Sequence, residues 1–191
     1  MTACWILTVF VDGRTQNRPA MTVVICNQVA LTNETLRAVE GASTSIFRDA
    51  GIDVSWIEGE SNCTTPVPLP STKVYFVVIA SVVPLGWTTG PDSMGFAPRN
   101  DLYRHAYVFY DRVKEFVNRM KLTHDIRIDS SLVLGHVIVH EIGHLLLHGK
   151  GPSGQGIMSE QWNRQDLMRA LAGTLRFDPQ DARVIETELS R

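Results

Sequence analysis

Leu132-Val133-Leu134-Gly135-His136-Val137-Ile138-Val139-His140-Glu141-Ile142-Gly143-His144-Leu145-Leu146-Leu147-His148 is the stretch on which the reading of this chain turns. It follows Asp129-Ser130-Ser131, which can cap a helix, and it is apolar nearly all round, so it predicts a buried helix. Inside it lies H-E-x-x-H. A spacing of four sets His140 and His144 one turn apart on one face, where both imidazoles can reach a single Zn²⁺ at about 2.0–2.1 Å. Glu141 then lies on the adjoining flank, placed to act as general base toward a water on that ion. Ionisable side chains are seldom buried without a partner, and this stripe sits among Val137, Ile138, Val139, Ile142 and Leu145. A metal supplies the missing partner.

The third ligand is less direct. His136, His140, His144 and His148 recur every fourth residue, and on a straight helix the Cα atoms of His140 and His148 stand about 12 Å apart, too far to share one tetrahedral ion. Gly149, Gly151, Pro152, Gly154 and Gly156 follow at once, so the helix must end near Leu147 or His148. A bent last turn brings His148 over the metal, and His148 is the expected third ligand. Glu160, Asp166 or water are the alternatives. Asn163-Arg164-Gln165-Asp166 also reads as a helix capping box, which competes for Asp166. His136, one turn earlier, is expected to be a hydrogen-bonded core residue or to support a ligand.

Working outward, Thr22 to Asn27 is β-branched and predicts a strand, followed by a helix over 33–50 that Thr32 or Asn33 can cap and Gly51 can end. Leu36, Val39, Ala42, Ile46 and Phe47 give that helix one apolar face. A strand over 53–57 completes a strand, helix, strand unit, whose natural product is a parallel pair. The run 73–81 is apolar on both faces and predicts the central strand. Residues 84–104 carry repeated Pro and Gly and read as a long irregular loop of the kind that carries function. A strand over 106–110 and a helix with Val113, Phe116, Val117 and Met120 on its apolar side follow. The expected architecture is mixed α/β (α+β): a twisted mixed sheet backed by the 33–50 helix and the H-E-x-x-H helix, with a cleft beside the sheet edge.

The 191 residues, 44% hydrophobic and 20% charged, suffice for one core, and neither repeats nor a linker divide them. Eighteen Lys plus Arg against twenty Asp plus Glu leave a net charge of -2 without a basic tract, which argues against nucleic acid as a partner. The two most apolar stretches, Cys4 to Val11 and Val74 to Val83, are far shorter than the roughly 20 residues that cross a bilayer, so a soluble domain is expected. Residues 1–21 read as a leader or edge segment. Ala3 to Val11 has the length of an export signal's apolar region but no Lys or Arg before it. Cys4, Cys26 and Cys63 lack C-x-x-C spacing, and Cys26 and Cys63 can pair if the chain is exported.

These residues resemble the metzincin clan of zinc metallopeptidases, and more closely a group of small bacterial zincin-like proteins with an H-E-I-G-H-L-L-L helix followed by G-I-M, here Gly156-Ile157-Met158. The resemblance spans most of the chain and its short interval from His140 to Met158 is similar to that of archaemetzincins. It implies a metzincin-like catalytic domain over 22–191, Zn²⁺ as cofactor, a peptide or protein as substrate, and export to the periplasm or medium. It implies that Met158 is the Met-turn methionine, a hydrophobic floor beneath the metal. In metzincins a residue after that turn, commonly Tyr, stabilises the oxyanion, and Trp162 stands in that region. Where the metzincin pattern H-E-x-x-H-x-x-G-x-x-H has Gly and a third His, this sequence has Leu147 and Lys150. That departure keeps two rival readings alive: a non-catalytic or structural zinc module, and a zinc amidohydrolase acting on a non-peptide amide.

Overall fold

The computed structural model describes residues 18–60, 73–98, 104–120, 128–147 and 153–191. Strand β1 (Ala20–Asn27) is followed by helix α1 (Asn33–Asp49), strand β2 (Asp53–Glu58) and strand β3 (Val74–Ala80). Then come strands β4 (Gly95–Phe96) and β5 (His105–Phe109), and helices α2 (Tyr110–Met120) and α3 (Ser130–Leu146). A 3₁₀ turn (Gly156–Met158) and helices α4 (Arg164–Leu171) and α5 (Pro179–Leu189) close the chain.

The strands form one five-stranded sheet in the order β2-β1-β3-β5-β4. β3, with its unbroken apolar run, takes the middle as expected. β1 pairs in parallel with β2 on one side, Val23 opposite Trp56, and with β3 on the other, Val23 opposite Tyr75. β3 pairs in parallel with β5, while β4 runs antiparallel to β5 at the edge. The sheet is therefore mixed. Connections of parallel neighbours need a crossover, and α1 supplies the one between β1 and β2. Its Thr32 caps the first turn by accepting from Thr35 N–H.

Alternation sorts the strand residues between two cores. Met21, Val23, Ile25, Tyr75, Val77, Ile79, Ala106 and Val108 belong to the large core, packed with the buried faces of α1, α2 and α3. Cys26, Val78 and Ala80 form a smaller cluster with Val24, Phe76 and Tyr107. Cys26 is disulfide-bonded, and the other two cysteines, Cys4 and Cys63, lie outside the described residues.

The boundaries differ slightly from expectation. β1 begins at Ala20, and α2 begins at Tyr110, directly after β5. The stretch expected to be an irregular loop contains β4, which the sequence analysis missed, and α5 was not anticipated either. The leader over residues 1–17, the cysteines 4 and 63, and His148 fall outside the described residues.

Candidate metal centre

Asp129 caps α3 by accepting from Ser131 N–H, and the helix ends at Leu147. Its burial is nearly complete because small residues let neighbours close in. A Cβ at Gly135 would stand 2.9 Å from the Val39 carbonyl oxygen and 3.0 Å from Ala42 Cβ, so Gly135 lets α1 cross against bare backbone. Ser43 bridges the same contact, donating to the Val39 and Gly135 carbonyls.

One and two turns later the helix meets the cleft. His140 and His144 stand edge to face, and their Nε2 atoms approach to 3.0 Å. Two imidazole nitrogens on one tetrahedral Zn²⁺ would be about 3.4 Å apart, so the pair is already near the spacing an ion demands. His140 Nδ1 stands 2.7 Å from the Ile157 carbonyl oxygen. A carbonyl only accepts, so Nδ1 carries the proton and Nε2 presents its lone pair toward His144. Burial also pushes the His140 pKa down, which favours the neutral, ligating form. His144 Nε2 faces that lone pair, so either its own N–H donates to it or a cation lies between the two nitrogens. The residues present therefore fit a divalent metal.

Glu141 is only 5% exposed, and burial pushes its pKa up to about 8. A cation on the neighbouring imidazoles would oppose that shift and favour the carboxylate. Gly95 of β4 packs directly on this side chain: a Cβ there would lie 2.7 Å from Glu141 Oε1 and 2.7 Å from the Tyr107 carbonyl oxygen. Met158 lies on the other side of the helix. Its Sδ would be 2.5 Å from a Cβ at Gly143, so the thioether rests against the helix backbone between His140 and His144 in sequence. Trp162 approaches His140 edge-on at 5.9 Å, and its ring N–H is engaged with the Ile157 carbonyl at 3.2 Å. That carbonyl thus receives both Trp162 and His140.

His140, Glu141 and His144 line a cleft of about 960 Å³. Its walls are Gly90 to Ala97 of the β4 segment, Phe116, Arg119 and Met120 of α2, Val137 of α3, and Ser159 to Trp162. The cleft lies beside the antiparallel edge of the sheet, where it was expected. Among the described residues no third His, Cys, Asp or Glu completes a metal-binding group with the two histidines. Glu160 lines the same cleft but does not complete one. Asp166 is committed elsewhere: it accepts from Asn163 N–H in the predicted capping box and stands 3.7 Å from Arg169. His148 lies outside the described residues. His136 is buried, with Nδ1 2.7 Å from the Leu132 carbonyl and Nε2 without a hydrogen-bond partner. The sequence offered no signal for Gly95, whose role depends on a two-residue strand.

A mixed sheet backed by a buried H-E-x-x-H helix, with a methionine turn pressed against that helix, defines a zincin-like fold. In agreement, the chain superposes on the crystal structure of archaemetzincin from Methanopyrus kandleri with a TM-score of 0.58, at 12% identity, over 93% of this chain and 99% of that one. No family model and no curated protein matches the sequence. Among the described residues no helix is long and apolar enough to cross a membrane.

Proposed function

We propose that this protein is a zinc-dependent metallopeptidase, with His140 and His144 as ligands, His148 as the third, and Glu141 as proton acceptor and donor. The observation that carries the reading is the convergence of the two Nε2 atoms at 3.0 Å with Glu141 beside them in an open cleft. When bound, zinc supplies a Lewis acid that polarises a carbonyl and acidifies water. Glu141 takes a proton from the attacking water and passes it to the leaving amine nitrogen. His140 holds its orientation through Ile157, and the apolar surroundings of α3 exclude bulk water from the proton path.

A peptide suits the site because β4 is an edge strand with one backbone side unpaired and facing the cleft region, a template for an extended chain. Met158 serves as the floor of the site. The Cys26 disulfide supports work in an oxidising compartment, either periplasmic or extracellular.

Zinc content per chain, measured by elemental analysis on wild type beside His148→Ala and His140→Ala, tests this reading. About one zinc in wild type and a large loss in both variants is expected, since a structural or catalytic site of this kind uses three or four protein ligands. Full zinc in His148→Ala would move the third ligand to Glu160 or to water. No zinc in wild type would overturn the metallopeptidase.

A further inference from the structure

The Glu141 carboxylate is packed against Gly95, so whatever holds Gly95 also sets where that carboxylate points. β4 is poorly equipped to hold itself. It is two residues long, it lies at the sheet edge, and it sits in a Pro- and Gly-rich stretch. Its β5 side contributes the Phe109 N–H bond to the Met94 carbonyl at 2.8 Å. The antiparallel pairing of Gly95 with Val108 and of Phe96 with Tyr107 adds to it, and Phe96 stacks on Tyr107 at 5.3 Å. Further support comes from α2.

Two arginines of α2 reach this segment, and they are not equivalent. Arg119 pairs with Asp92 at 2.7 Å, but both side chains are largely exposed and solvent screens the pair. Arg112 works on the backbone. Its Nη1 lies 2.9 Å from Thr89 Oγ1, 3.0 Å from the Gly90 carbonyl and 2.8 Å from the Ser93 carbonyl. The last two are the ends of a turn already closed by Ser93 N–H to Gly90 O at 3.2 Å. The guanidinium is itself fixed, lying 4.8 Å over the ring of buried Phe109. A planar, stacked cation donating into one turn pins that turn to α2, which a flexible ammonium would do less well.

We propose that Arg112 is a positioning residue for Glu141: it clasps the 89–93 turn so that Gly95 stands against the carboxylate. The inference rests on the assignment of Glu141 as the proton-transferring group. Displacing Gly95 by a fraction of an ångström frees the carboxylate to rotate away from the water it must deprotonate, so the loss falls on kcat and not on zinc.

The zinc-loaded full chain, on a peptide found by library cleavage, is compared for Arg112→Ala, Arg112→Lys, Lys114→Ala, Gly95→Ala and the Arg112→Ala/Gly95→Ala double variant. Arg112→Ala is expected to lower kcat about 10- to 100-fold with zinc content kept. Arg112→Lys recovers part of the loss, and Lys114→Ala, which removes an exposed α2 cation paired with Asp111 away from the cleft, stays close to wild type. The double variant is expected to be no worse than the poorer single one, because both act on one contact. Unchanged kcat in Arg112→Ala, or losses that multiply in the double variant, would overturn the clasp.

A second measurement needs no activity: the carboxyl ¹³C resonance of Glu141 in the zinc-free chain, assigned with Glu141→Gln. It is expected to shift in Arg112→Ala and not in Lys114→Ala. If wild type cleaves nothing, the peptidase reading fails while this resonance still decides the clasp, and an unmoved signal overturns it.

Discussion

Around Gly135, α3 is sealed against α1, with the Val39 carbonyl, Ala42 and Ser43 crowded where a side chain would begin. Around Gly143, the same helix rests on the thioether of Met158, and its His140 and His144 flank opens on the cleft. Both glycines permit close approach, but the approaching atoms differ. Backbone cannot yield at the first, whereas the end of a flexible side chain can shift at the second. The contrast divides one helix: the first half is locked against α1, and the second half carries the groups to which the proposed function assigns the chemistry.

The largest test of that division is Glu141→Gln. Turnover is expected to fall by about 10³-fold, within the range for a lost general acid–base, with zinc content and melting temperature nearly unchanged. A variant that cleaves as fast as wild type would place the chemistry elsewhere, and one that melts much lower would make the second half an anchor too.

Gly135→Ala comes next. Overpacking against backbone costs about 1–3 kcal/mol, which in a chain of this size lowers the melting temperature by roughly 2–4 °C per kcal/mol. Gly143→Ala should cost about 1 kcal/mol or less, because Met158 can move and Ala favours helix over Gly. Calorimetry of the two variants side by side would reverse the comparison if Gly143→Ala proved the more damaging.

A gentler effect belongs to acid. His136 is buried, and desolvation, outweighing its hydrogen bond to Leu132, holds its pKa below the ordinary 6.5. The unfolded chain therefore takes up this proton first as pH falls, so the contribution of His136 to stability is full above about pH 6.5 and declines below it, whereas Glu141, held protonated by burial, contributes in the opposite sense. In urea titrations of zinc-free protein, the stability of His136→Gln relative to wild type should therefore rise as pH falls below about 6.5. A difference that does not change with pH would leave acid sensitivity to His105 and His140, which burial shifts in the same direction.

The H-E-x-x-H helix, the β1, α1, β2 unit and the central place of β3 were legible because each rests on a periodicity of apolar residues local to its own segment. The Asn163 capping box was legible for the same reason, being a pattern over four residues. β4 was not, since Gly95-Phe96 has no period to read and becomes a strand through β5. The fit of Gly95 to Glu141, of Met158 to Gly143, and the grip of Arg112 on the 89–93 turn join residues 15 or more positions apart. Such contacts leave no trace in spacing. The two histidines of the motif are read from their spacing, but the approach of their rings is not, because it depends on a carbonyl in the 3₁₀ turn.

That carbonyl has a thermodynamic consequence. Ile157 accepts from His140 and Trp162 through its C=O, while its N–H is tied to the Arg176 carbonyl at 2.8 Å, and Arg176 is in turn paired with Asp49 at the end of α1. Orientation of the His140 imidazole is thus paid for during folding. On the proposed reading, in which the two histidines hold a metal, linkage makes the relation reciprocal: occupancy would disfavour opening of the 156–158 turn, and loosening that turn would weaken occupancy by the same factor. The Arg176–Asp49 pair at the end of α1 would then bear on metal affinity from a distance.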